Sequence, residues 1–237
     1  MKKIVAIAAF FALIAGAAHA QRYVQQTDLR LGFQISPAFS GMATDNNRIN
    51  RNGTNLGLKL GMRGEIYFRE NYAFLIGLGF HFNSGGTLRH EAISDTWQRS
   101  ELPGGVLRPF PGGTNLKYNL QYVEIPFGLK FRTKEFGYIR YFAEVPVISL
   151  GFKSQARGAI EYPGLKKEKV DIKKEVNSLA LSWGLGGGIE YSISGSTAII
   201  AGVGYQRMFT DVTKNYKPEV TSKAHISTIV LHLGVMF

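Results

Sequence analysis

The chain has 237 residues, 28 lysines and arginines against 17 aspartates and glutamates, a formal net charge of +11, and no cysteine. The lack of cysteine removes a lipobox, a disulfide framework, a thiolate metal site and a cysteine nucleophile from consideration. No stretch of 18 apolar residues follows the amino-terminal run, so any membrane crossing must use strands and not helices.

Lys2 and Lys3 precede an apolar run of 15 residues, Ile4 to Ala18, which ends in the small-x-small triplet Ala18-His19-Ala20. That run is too short to span a bilayer as a helix and reads as a secretory signal peptide over residues 1–20, leaving a single domain over 21–237. Losing Lys2 and Lys3 lowers the net charge from +11 to +9. A basic exported chain suits anionic lipid or polyanionic sugar, and export argues against nucleic acid as a partner.

Beyond the leader, apolar residues recur at every second position, the period of a strand with one greasy face. The first predicted strand, about Asp28 to Phe39, sets Leu29, Leu31, Phe33 and Ile35 against Arg30, Gly32, Gln34 and Ser36. The second, about Leu56 to Phe68, sets Leu58, Leu60, Met62 and Ile66 against Lys59, Gly61, Arg63 and Glu65. The third, Tyr72 to Asn83, carries Phe74, Ile76, Leu78, Phe80 and Phe82, and only Arg69, Glu70 and Asn71 separate it from the second. The fourth, about Lys117 to Arg132, changes phase: Leu116, Tyr118, Leu120 and Tyr122 are apolar first, then Val123, Ile125, Phe127, Leu129 and Phe131. The second phase is the lipid-facing one, and the change implies a bulge or an extension beyond the membrane. The fifth, about Tyr138 to Phe152, is irregular in the same way. The sixth (Ser178 to Ile193) and seventh (Thr197 to Thr210) are regular, and the last places Ile229, Leu231, Leu233, Val235 and Phe237 on one face.

Connection lengths alternate. Short turns lie at Arg69 to Asn71, Thr133 to Gly137 and Ser194 to Ser196, and long connections at about 41–55, 84–116, 153–177 and 211–223. This is the pattern of an all-β, eight-stranded antiparallel up-and-down barrel of the bacterial outer membrane, with short periplasmic turns and long outer loops. Leu231, Leu233, Val235 and Phe237 then form the expected assembly signal for the barrel-insertion machinery.

An eight-stranded barrel has an interior just wide enough for side chains, so inward charges are the candidate functional groups. These are Glu124, Glu144 and Arg63 near mid-height, with Arg30, Glu65, Lys130, Arg140 and Glu190 lower. They could form a selective path, but a salt-bridged plug is favoured because lone charges would be costly inside. Glu124-Ile125-Pro126 and Glu144-Val145-Pro146 repeat across one turn, and a simple register would set Glu124 opposite Pro146 and Pro126 opposite Glu144. Two neighbouring carboxylates could do acid/base work. The structural reading, with a proline bulge and with Arg63 and Lys59 neutralising the pair, is preferred.

His81 points inward and His90 and His225 lie near loops, with no tight Ser/His/Asp spacing. His225 and His232 face opposite sides, which removes a simple two-histidine metal site. No enzymatic activity, cofactor or metal is expected. Gly184-x-Gly186-Gly187-Gly188 lacks the nucleotide-binding spacing and reads as close packing within a strand. In the third outer loop, Lys166, Lys167, Lys169, Lys173 and Lys174, mixed with Glu161, Glu168, Asp171 and Glu175, form a possible contact for lipopolysaccharide phosphates or a protein partner.

The Tyr122-Val123-Glu124-Ile125-Pro126-Phe127-Gly128-Leu129-Lys130 run, the Gly186-Gly187-Gly188-Ile189-Glu190-Tyr191 run and the terminal aromatic resemble the outer-membrane β-barrel ("porin family", PorT-like) proteins of Bacteroidetes. The resemblance covers the whole mature chain and implies the barrel; PorT itself is linked to type IX secretion. The expected function is that of a small non-enzymatic barrel serving envelope integrity, adhesion or partner contact through its loops. A narrow solute or ion pore and an accessory secretion component are the alternatives, and a lipid-acting enzyme ranks last.

Overall fold

The computed structural model describes residues 29–214 and 222–237, so the expected leader and cleavage site lie outside the described residues. Among the described residues there are nine strands: β1 (Leu29–Thr44), β2 (Ile49–Arg69), β3 (Tyr72–His90), β4 (Thr114–Arg132), β5 (Ile139–Tyr162), β6 (Leu165–Asp171), β7 (Leu179–Ser192), β8 (Ala198–Met208) and β9 (Ala224–Met236). All pairings are antiparallel, and eight strands close a ring because β4 pairs with β5 while β1 pairs with β9. The ninth, β6, pairs only with the outer end of β5 (Arg157–Tyr162) and widens that hairpin without entering the ring. Leu31 and Phe237 exchange backbone hydrogen bonds of 2.8 and 3.3 Å, so the last residue of the chain closes the seam.

Below the outer rim, outward residues are apolar and exposed, as for Phe33, Leu78, Leu185 and Leu233. Aromatic rings cluster near the short turns (Phe68, Tyr72, Phe74 and Phe131) and again higher up (Phe80, Phe82, Trp183 and Tyr205), the two girdles of a bilayer-spanning barrel. Tight packing between β7 and β8 uses facing glycines, Gly186 opposite Gly204 and Gly188 opposite Gly202, which bears out the reading of that run as close packing.

The long connections are built differently from the expected loops. Much of the 41–55 stretch is strand, leaving only residues 45–48 between β1 and β2, and β3, β4 and β5 likewise run on past the greasy band. On β4 the even-numbered residues face inward along the whole strand: Leu116, Tyr118, Leu120 and Tyr122, then Glu124 and Lys130, are all buried. The side-chain direction therefore never flips. What flips is polarity, because within the bilayer the outside is greasy and the inside polar, whereas above it the outside meets water and the inside is apolar.

On β5 the phase does change. Register shifts fall between Gly128 and Lys130 on β4 and between Glu144 and Val147 on β5, beside Pro146, which has no amide hydrogen for the ladder. The expected proline bulge is thus present, but the expected register is not. Lys130 lies opposite Glu144, Glu124 opposite Gly151, and Pro126 opposite Ser149. The hairpin turns at Gly137-Tyr138, where Gly137 takes φ +66° and Phe136 and Ile139 exchange backbone hydrogen bonds. That apex lies further along the chain than a turn centred on Glu135, and every cross-strand pair shifts with it.

Candidate functional site

Four acids and four bases share the described lumen. Lowest are Arg30, Glu65, Lys130 and Glu190. The Lys130 ammonium bonds Glu65 at 2.6 Å and also Glu190, Arg30 reaches Glu190 at 3.1 Å, and Tyr67 donates its hydroxyl to Glu65 at 2.7 Å. Lys130, Glu65 and Glu190 have fully buried side chains. One step higher, Arg63 pairs with Glu144 and lies 3.3 Å from Glu65. Above that, Lys59 pairs with Glu124 at 2.6 Å and bonds Gln206, while the His81 ring meets Glu124 at 3.2 Å. Gln34 bonds both His232 and, at 2.7 Å, Ser36.

Two sequence-based placements need correction. Arg63, Glu124 and Glu144 do not form one cluster: the shifted hairpin puts Glu144 on the rung of Lys130 and Glu124 well above it, so Arg63 serves Glu144 and Lys59 serves Glu124. Arg140 does not join the lower lattice either. It sits at the rim, where it pairs with Glu135 of the short turn and donates to Ser192 at 3.2 Å.

Four positive and four negative groups cancel, and each is within ion-pair distance of an opposite partner. Such an arrangement satisfies charges that would be prohibitively costly alone, and it occupies most of the bore. A cavity of about 130 Å³ remains at mid-height beside Gln34, Gly61, Gly79, Gly186, Gly204 and His232. Among the described residues no three His, Cys, Asp or Glu side chains come together to hold a metal ion.

A lid unforeseen in the sequence lies over this lattice. Leu116, Tyr118, Leu120, Tyr122, Met208 and Ile226 converge from the outer ends of the strands, and Trp97, Phe110, Ile172 and Val212 fold onto them from the connections. Trp97 donates its indole N–H to the Tyr118 hydroxyl at 3.1 Å and packs edge-on against Tyr118 and Phe110. Beneath it the Ser40 and Thr228 hydroxyls share a hydrogen bond of 3.0 Å. The available signal was the inward apolar run of Leu116 to Tyr122 opposite the polar Lys117, Asn119 and Gln121.

The basic outer connection is partly ordered by its own contacts. Lys166, Lys169, Lys173 and Lys174 are exposed and Lys167 is half-buried, while Lys166 pairs with Glu168 at 3.1 Å. Glu175 departs from the expected solvated loop: it is buried and accepts from the Arg99 amide at 2.6 Å and the Ser100 hydroxyl at 3.2 Å, tying two connections together.

A family model described as "Outer membrane protein beta-barrel domain" matches residues 20–214. No match was found among curated proteins. Among solved structures the chain is similar to the Neisserial surface protein A, with 13% identity over 87% of this chain and 95% of that one and a TM-score of 0.46. It is also similar to a major outer membrane protein from Thermus thermophilus, with 14% identity over 89% and 99% of the two chains and a TM-score of 0.45. A third is Ail, the attachment invasion locus protein of Yersinia pestis, with 13% identity over 88% and 98% and a TM-score of 0.39. With a closed ring of antiparallel strands, an exposed greasy band and a family match over most of its length, this chain belongs to the outer membrane protein beta-barrel domain family and resides in the outer membrane.

Proposed function

We propose that this is a small non-enzymatic barrel whose lumen is closed by its own side chains and which acts through its extracellular loops, in envelope integrity, adhesion or partner contact. The carrying observation is the neutral lattice of Arg30, Lys59, Arg63, Lys130, Glu65, Glu124, Glu144 and Glu190 beneath the apolar lid. A path for ions would have to break these pairs and also wet the lid, and both steps are costly. This weighs against the narrow-pore alternative, and planar-bilayer conductance of the reconstituted protein tests it.

Within the family, the Tyr122–Lys130 and Gly186–Tyr191 runs support the PorT-like assignment. An accessory role in a type IX-like secretion system follows from that resemblance, and affinity capture of the intact complex from outer membranes would reveal secretion partners. Residues 1–20 act in this reading as the secretory leader, and the barrel-insertion machinery recognises the terminal strand. The exposed lysines of the β6 region are proposed to contact polyanions at the cell surface.

A further inference from the structure

We propose that the outer wall of β4, β5 and β6, just above the greasy band, is a docking site for the phosphorylated sugar headgroup of an outer-leaflet glycolipid. The inference rests on the polyanion contact proposed above for the β6 region, and on the orientation that sets the long hairpins outside the cell. A groove of about 320 Å³ runs there, with Lys117, Arg157 and Lys169 as its cations and Asn119, Gln121 and Gln155 as its amides. Those residues face outward because Leu116, Tyr118 and Leu120 occupy the inward positions of the same strand.

Register fixes the height of the groove. Gln121 lies opposite Gln155 and Asn119 opposite Arg157, while the next outward residue below Gln121 is Val123, opposite the exposed Phe152. The groove therefore begins one outward position, about 7 Å along the strand, above the last lipid-facing pair. Phosphates attached to lipid-borne sugars reside at that level, whereas a soluble polyanion has no reason to settle at the bilayer edge. Three cations supply the counter-charge, and the amides offer donors and acceptors to sugar hydroxyls. The Gln155 amide, with its oxygen toward Arg157, accepts from the guanidinium at 3.0 and 3.2 Å and holds it against the wall. Lys169 takes φ +60° in β6, whose chain forms the far side of the groove. Two carboxylates temper the site: Glu168 in the groove wall, held by Lys166 at 3.1 Å, and exposed Asp171, which lies opposite Arg157 at the β5/β6 edge, so the three cations leave a net positive charge of one.

The test uses the full-length barrel folded in phosphatidylcholine vesicles doped with lipid A, which carries phosphates on a diglucosamine. Native mass spectrometry after detergent extraction reads the lipid retained. Wild type should keep lipid A, and a Lys117→Ala, Arg157→Ala, Lys169→Ala triple variant should lose about a hundredfold in affinity, since each surface cation contributes severalfold. Glu168→Gln should retain more than wild type, which a merely structural role for the groove would not produce. Dephosphorylated lipid A should be lost, and inorganic phosphate at millimolar concentration should not compete. Equal retention by wild type and the triple variant, equal retention of dephosphorylated lipid, or displacement by inorganic phosphate would each overturn the proposal.

The absence of cysteine makes the underlying orientation separately testable. A Lys169→Cys variant should react with a membrane-impermeant maleimide on intact cells. Failure to label there would contradict the orientation and with it the proposal, whereas labelling with no lipid retention would refute the headgroup site alone.

Discussion

Replacing Lys130 by methionine probes the lumen lattice at its most buried cation. The side chain has no exposed surface and bridges Glu65 at 2.6 Å and Glu190. Methionine keeps most of the volume but leaves four carboxylates facing three cations, Arg30, Lys59 and Arg63. Removing one partner of a buried ion pair costs about 3 to 5 kcal/mol, because the cost is that of a charge left without its counter-charge. With an m-value of about 2 kcal/mol/M, the urea midpoint of the barrel in lipid vesicles should fall by about 2 M. A second substitution should then repair the first. Lys130→Met with Glu65→Gln leaves three acids and three bases already in contact, as Arg30 with Glu190 at 3.1 Å, Lys59 with Glu124 at 2.6 Å, and Arg63 with Glu144. The double variant should recover at least half of the lost stability, although it carries more changes. A single variant as stable as wild type, or a double variant losing as much as the single, would refute the balanced-lattice account.

The lipid face should punish charge: Leu185→Arg, at a site 47% exposed to the outside, should cost about 2 to 4 kcal/mol in vesicle unfolding if it lies near the midplane, and equal midpoints would show the faces are misassigned. Gly188→Ala should destabilise the barrel by about 1 to 3 kcal/mol, because its new methyl would fall 2.2 Å from the Ala201 carbonyl oxygen; Gly186→Ala, with its nearest neighbour at 3.4 Å, should be far milder in the same assay. Trp97→Ala should empty the centre of the lid at a cost of about 3 to 5 kcal/mol, read as faster hydrogen exchange in the outer ends of β4 and β5, with heat-modifiable migration kept. Deleting Val235 to Phe237 removes the seam bonds between Leu31 and Phe237 and should lower the folded, heat-modifiable fraction in outer membranes; unchanged assembly would count against the terminal strand as an insertion signal.

The ring of eight strands was legible because lipid on one side and a polar bore on the other write a period of two into each strand, and Ile229 to Phe237 show it without interruption. Connection lengths supplied the topology. The lattice was legible in most of its members, Arg140 being the exception that pairs at the rim with Glu135. Arg30, Arg63, Lys130, Glu65, Glu124, Glu144 and Glu190 all belong to it, but who meets whom depends on register, and register here depends on a Gly137-Tyr138 turn and a bulge at Pro146 that periodicity alone does not reveal. The lid was hidden for a different reason. Leu116 to Tyr122 look like a phase error when the whole strand is assumed to lie in the membrane, since the greasy side changes as the strand passes into water. Trp97 and Phe110 carry no periodic signal at all, because they reach the lid from an irregular connection.

The closed lumen is tested most directly by conductance. Purified, folded protein in a planar bilayer should show no steady current at moderate voltage, because the ion-paired lattice and the lid lie in series along the bore of the barrel. A stable, large, ion-selective conductance in the wild type would contradict the account and favour the pore.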